Sequence, residues 1–143
     1  MKFDNQMTLV VDAKIKNDSF VRSTVAAFCV EANPTLSEIN DVKTAVSEAV
    51  TNAIVHGYEK NKDGKVTVAV GICGREVFIS VIDQGRGIDD IAKARKPFFT
   101  TKPEQERSGM GFTVMESFMD TLIVKPNEGG GLVVHMKKKF GEA

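Results

Sequence analysis

The sequence has little that would tie it to a secreted, membrane-embedded or nucleic-acid-binding class. Only two of its 143 residues are cysteine. Cys29 and Cys73 sit alone among apolar neighbours, with no CxxC pair and no close histidine. Neither a zinc set nor a disulfide framework is therefore expected, and both read as small core residues. An excess of one charge is also missing, because 19 basic residues cancel 19 acidic ones. That balance removes the global field that would draw a chain onto nucleic acid or anionic lipid. No apolar run reaches the roughly 18 residues that cross a bilayer, and residues 1–6 lack the apolar stretch of a signal peptide. The expectation is a cytoplasmic protein with no direct nucleic-acid partner and no membrane contact. Internal repeats and low-complexity segments are absent too. What is present, 42% hydrophobic residues, suits a single domain over residues 1–143 with one core.

Periodicity places the elements. Met7 to Val11 alternates as an opening strand. Phe20, Val21, Thr24, Val25, Phe28 and Cys29 recur at helical spacing through Ala32, with Asn17, Asp18 or Ser19 available as a cap and Pro34 as a stop. Arg22 on this helix points either to solvent or to a partner. Thr35-Leu36-Ser37-Glu38 fits a capping box, so a second helix is expected from Leu36 to a C-cap at Gly57. Lys65 to Ile72 and Glu76 to Ile82 read as a hairpin across Cys73-Gly74-Arg75. The second of these runs is apolar on nearly every residue, as a central strand is, and delivers Asp83 to its end. A short helix is expected from Asp89 or Asp90 to Arg95, and a polar loop from Phe98 to Ser108. A further helix opens at Ser108-Gly109-Met110-Gly111. The last strands are Thr121 to Lys125 and Leu132 to Met136, joined by a turn that contains Gly129-Gly130-Gly131. Lys137 to Lys139 reads as a solubilising strand end, and His135 has no evident role. This order implies an α/β two-layer sandwich with helices on one face of a mixed sheet.

Four stretches carry more than packing requires. On the second helix Ile39, Val42, Val46, Ala49, Val50 and Ala53 share one face, whereas Glu48, Asn52 and His56 form a ridge off that stripe. Taken alone, the ridge is either a solvated face or a site where a carboxylate and a carboxamide stand one turn apart. Asp83-Gln84-Gly85-Arg86-Gly87 is either a plain turn or a place where a ligand approaches the backbone through two glycines. The glycines of Ser108-Gly109-Met110-Gly111 expose amides and the positive end of a helix to an anion. Before them Thr100, Thr101, Lys102 and Arg107 lie on the polar loop, either solvated or able to close over phosphates.

Taken in order, Glu48-x-x-x-Asn52, Asp83-x-Gly85-x-Gly87, the polar loop and Gly109-x-Gly111 resemble the GHKL ATPase and kinase superfamily. The fold implied is the Bergerat-type ATP-binding sandwich. Residues 47–58, 99–104 and 106–112, together with Ser19 to Arg22 and Thr24 to Phe28, are similar to the anti-sigma F factor family of spore-forming bacteria. By that resemblance the chain is a protein serine kinase that uses ATP, is left with ADP, and needs Mg²⁺. Asn52 would hold the metal and Glu48 would be the catalytic base. Asp83, with Gly85 and Gly87, would receive the adenine. Thr100, Thr101, Lys102, Ser108, Gly109, Met110 and Gly111 would close on the nucleotide, with Arg107 neutralising charge in transfer. The partners implied are an RNA polymerase sigma factor, contacted through Arg22, and an anti-anti-sigma protein whose serine is the acceptor. A homodimer is implied as well. A nucleotide-gated binding module without catalysis is the alternative.

Overall fold

A computed structural model describes residues 2–57, 64–85 and 111–141. In chain order the elements are β1 (Asn5–Asp12), α1 (Asp18–Cys29), α2 (Leu36–Asn52), β2 (Lys65–Cys73), β3 (Glu76–Asp83), α3 (Gly111–Phe118), β4 (Thr121–Pro126) and β5 (Leu132–Lys139). The strands form one five-stranded sheet in the order β1-β2-β3-β5-β4, so β3 is its centre, as its apolar sequence requires. All four pairings are antiparallel, where a mixed sheet was expected. The reason lies in the connections. Two hairpins build β2-β3 and β4-β5, and the crossover after β3 leads to the far edge, so β5 returns between them in the opposite sense. The first hairpin turns on Gly74, whose φ of 62° suits a glycine-first two-residue loop.

Alternation sorts each strand. Val66, Val68, Val70 and Ile72 of β2, and Val77, Ile79 and Val81 of β3, are buried on the side that meets the helices. Met7, Leu9 and Val11 extend that face along β1. From the helical layer Val21, Val25 and Cys29 of α1 join Val42, Val46, Ala49 and Val50 of α2 and Phe112 and Met115 of α3 in the same core. Each of these larger side chains contributes roughly 1.5–3 kcal/mol when fully buried.

Local chemistry sets the helix ends, with some departures from expectation. α2 begins with the expected capping box: Glu38 N–H donates to Thr35 Oγ1 at 3.1 Å, and Thr35 N–H donates to Glu38 Oε1 at 2.8 Å. α1 has no such cap. The Asn17 side chain instead donates to the Asp12 carbonyl at 2.8 Å, fastening the end of β1. After Asn52 the backbone continues to Gly57, but as a π-helical turn over Ala53–Gly57. The regular α-helix expected to reach Gly57 therefore ends at Asn52.

Cys29 is buried and its thiol is pushed up to about 12 by desolvation, which makes it inert. Cys73 is only half buried and also free, so the expectation of a core residue holds for Cys29 alone. Among the lysines that end β5, Lys138 is not a solvated terminus. Its ammonium donates to the Phe118 carbonyl at 2.7 Å at the end of α3 and faces Asp41 at 3.7 Å.

Candidate functional site

The apolar stripe of α2 decides where its polar residues stand. With Val46, Ala49, Val50 and Ala53 buried against the sheet and its neighbouring helices, Glu48 and Asn52 are left half buried at the margin of that contact. α3 packs beside α2, and its first residue lies over Asn52. A Cβ at Gly111 would sit 3.1 Å from Asn52 Nδ2 and 3.4 Å from its Oδ1, tight enough that a larger residue would press on the carboxamide. Gly111, the last residue of the glycine motif, and Asn52 of the Glu48-x-x-x-Asn52 motif, far apart in sequence, thus meet at one point.

The third motif arrives on β3, which packs against the Ala53–Gly57 turn. Asp83 is 5% exposed, the only buried charged residue among those described. Its carboxylate accepts the Gly85 N–H at 2.9 Å and the Leu132 backbone amide. These two bonds favour ionisation, but desolvation outweighs them and raises the pKa above 3.8. The sign matters for stability. Above its raised native value the ionised Asp83 costs the fold stability, and the cost fades as pH falls through that value towards 3.8. A buried carboxylate with a pKa raised by desolvation is a candidate site residue.

Of the other residues expected at the site, Gly85 follows Asp83 as the last described residue of that segment. Gly87, Thr100, Thr101, Lys102, Arg107, Ser108, Gly109 and Met110 lie outside the described residues, as do the expected helix from Asp89 or Asp90 and the polar loop. Arg22 lies apart from the three motifs, on α1. It is 40% exposed and faces Asp18 at 3.3 Å, while Asp18 accepts the Ser47 hydroxyl at 2.9 Å. A chain of polar contacts therefore runs from Arg22 to the residue before Glu48.

Sequence reading missed the back wall of the Asp83 position. Asn127 Nδ2 donates to the Asp83 carbonyl at 3.0 Å. The run Gly129-Gly130-Gly131 is a turn, as expected, but all three have positive φ and Gly131 presses directly on the Asp83 backbone. An Asn two residues ahead of a glycine run was the available signal. His135, with no evident role in sequence, is half of a cross-strand pair: its Nδ1 lies 2.6 Å from Ser80 Oγ. Desolvation, then Lys125, lower its pKa, so it is held towards the neutral ring.

The fold is one shared by ATPase domains of the histidine kinase-like class, as comparison with known proteins shows. Residues 12–138 match the model of the family described as histidine kinase-like ATPase domain. Among curated proteins the chain is 58% identical over 137 residues to an anti-sigma F factor of Clostridium acetobutylicum, covering 96% of this chain and 95% of the other. It is 53% identical over 138 residues to an anti-sigma F factor of Clostridium botulinum, covering 96% of each. Among solved structures, the RsbU and RsbW domains of Rv1364c from Mycobacterium tuberculosis superpose with a TM-score of 0.69 at 23% identity. That match covers 97% of this chain and 33% of the longer one. The catalytic domain of the histidine kinase ThkA gives 0.59 at 18% identity, covering 95% of this chain and 99% of that one. The chain therefore belongs to the anti-sigma F factor family, within the GHKL class of kinase-like ATPases.

Proposed function

We propose that this chain is an ATP-dependent protein serine kinase that also binds and inhibits a sporulation sigma factor, sigma F. Its phosphoacceptor is a serine of an anti-anti-sigma protein, which phosphorylation inactivates. The observation that carries the reading is the contact of Asn52 with Gly111, because it brings a metal-competent carboxamide to the amide-rich start of a helix. The name shared by the relatives supports the sigma-factor half of the proposal.

In this reading the adenine lies against Asp83, whose carboxylate accepts a hydrogen bond from the 6-amino group, with Gly85 and Gly87 admitting the ring to the backbone. Thr100, Thr101, Lys102, Ser108, Gly109, Met110 and Gly111 hold the phosphates. Asn52 offers one neutral oxygen, which suits Mg²⁺ because that ion takes its other ligands readily from phosphates and water. Bound there, the ion would supply neutralisation of phosphate charge. Glu48, one turn earlier on the same half-buried side, accepts the proton of the serine hydroxyl as its oxygen bonds to the γ-phosphorus. The bond to the bridging oxygen breaks and ADP leaves, with Arg107 facing the charge that develops. Arg22 and the exposed side of α1 contact the sigma factor, and two copies act as a homodimer.

Paired variants test the division of labour. Glu48→Ala retains ATP but loses transfer to the anti-anti-sigma serine, whereas Asn52→Ala loses Mg²⁺-dependent nucleotide binding. Equal loss of nucleotide from both contradicts the separate roles. Intact sigma-factor binding with no transfer from the wild-type chain would leave a nucleotide-gated binding module.

A further inference from the structure

We infer that the β4–β5 turn, through Asn127, is a positioning element for Asp83 and thereby sets the choice of purine base. The inference rests on the reading of Asp83 as the group that receives the base.

Asp83 is the last residue of β3. On the β5 side the ladder ends one residue earlier, at Ile82 opposite Val133, so sheet pairing with β5 does not fix the Asp83 peptide. The turn takes over there. Asn127 Nδ2 donates to the Asp83 carbonyl at 3.0 Å, and the Leu132 amide donates to its carboxylate. Gly131, at φ 94°, approaches so closely that a Cβ would collide with the Asp83 carbonyl oxygen and lie 2.7 Å from its carbon and from Gln84 Cα. Gly130 carries the contact along the chain, 3.6 Å from the Gly85 carbonyl by the same measure. The turn is itself fixed, since Asn127 N–H donates to the Gly131 carbonyl and Gly130 N–H to the Asn127 carbonyl, both at 3.0 Å. Only glycine accommodates three consecutive positive φ values at this spacing.

The consequence is mechanical. A carboxylate that reads one amino group must be held to a few tenths of an ångström, and here the Asp83 carbonyl is held by the β4–β5 turn while β2 pairs with the other edge of Asp83 at Val66. Asn127 does not touch the base; it acts through Asp83.

The experiment compares binding of Mg-ATP and Mg-ITP by calorimetry, since ITP carries a 6-oxo group in place of the 6-amino group. The wild-type chain should prefer ATP by roughly 10- to 100-fold, the range for a hydrogen bond to a charged acceptor. Asp83→Asn should abolish or reverse that preference. Asn127→Ala and Asn127→Asp should each lower the ATP-to-ITP ratio by about three- to tenfold, the range for one neutral hydrogen bond. Asn127→Asp keeps the size and turn preference of asparagine but has no N–H for the Asp83 carbonyl, so a merely structural turn would leave its ratio unchanged. A wild-type ratio in both Asn127 variants, with Asp83→Asn altered, overturns the inference alone. An unaltered ratio in Asp83→Asn overturns the reading of Asp83 as well.

Discussion

The two ends of α2 are built on opposite rules. At the N-terminal end the helix is tied down by paired groups: Thr35 and Glu38 cap one another, and Glu38 Oε2 also accepts the Gly141 N–H at 2.8 Å. Arg75 Nε donates to the Phe140 carbonyl at 2.8 Å and its Nη2 to the Asn33 carbonyl at 3.2 Å, while Phe140 is fully buried beneath them. At the C-terminal end the helix widens into a π turn, Glu48 and Asn52 are half buried, and the adjacent strand end holds a carboxylate whose charge costs stability. One end obeys local rules and anchors the fold. The other departs from them, as sites where ligands bind commonly do.

The contrast can be broken by substitutions that should separate activity from stability. The largest effect is expected at the C-terminal end: Glu48→Gln should lower the rate of phosphoryl transfer by about 10²- to 10⁴-fold, the usual contribution of a general base. A kcat within tenfold of wild type would remove Glu48 from the chemistry. Next, Phe140→Ala should cost about 3–5 kcal/mol in denaturant unfolding, through a cavity at the anchored end. A loss below about 1 kcal/mol would show that this end is not where stability resides. Thr35→Ala should cost about 1 kcal/mol, the ordinary value of a lost N-cap, with ATP affinity unchanged once the protein is folded.

The smallest effect is a pH dependence. Hydrogen bonds from the Thr35 and Gly141 amides hold the Glu38 carboxyl below its usual 4.5. Its stabilisation is therefore fully present above the unfolded value and is lost as pH falls through the lower native value. The melting temperatures of wild type and Glu38→Gln should differ at pH 7 and converge in acid below pH 4.5. Curves that stay parallel into acid would contradict the ionic part of the cap.

The anchored end was the more legible in sequence, and for a physical reason. A capping box and an i, i+3, i+4 apolar stripe act within one turn or one helix, so Thr35, Glu38, Val42 and Val46 announce themselves. The site depends on residues far apart in the chain. Glu48, Asn52 and Asp83 were readable as candidates through spacing and resemblance, but the meeting of Asn52 with Gly111 is a tertiary fact. Asn127 and Gly131 acquire meaning only because the β4–β5 turn lies against the end of β3. The antiparallel sense of the β3–β5 pairing was hidden likewise, since it follows from which edge the crossover reaches. The π turn after Asn52 has no sequence signal that we recognise.

The function proposed for this helix end is phosphoryl transfer to a protein serine. The most direct measurement is the intact mass of the anti-anti-sigma protein after incubation with this chain and Mg-ATP, beside the same reaction with Glu48→Gln. The account predicts the addition of one phosphate, on a serine, with the wild-type chain and none with the variant. No phosphate from a wild-type chain that binds ATP, or equal phosphate from both chains, would contradict it.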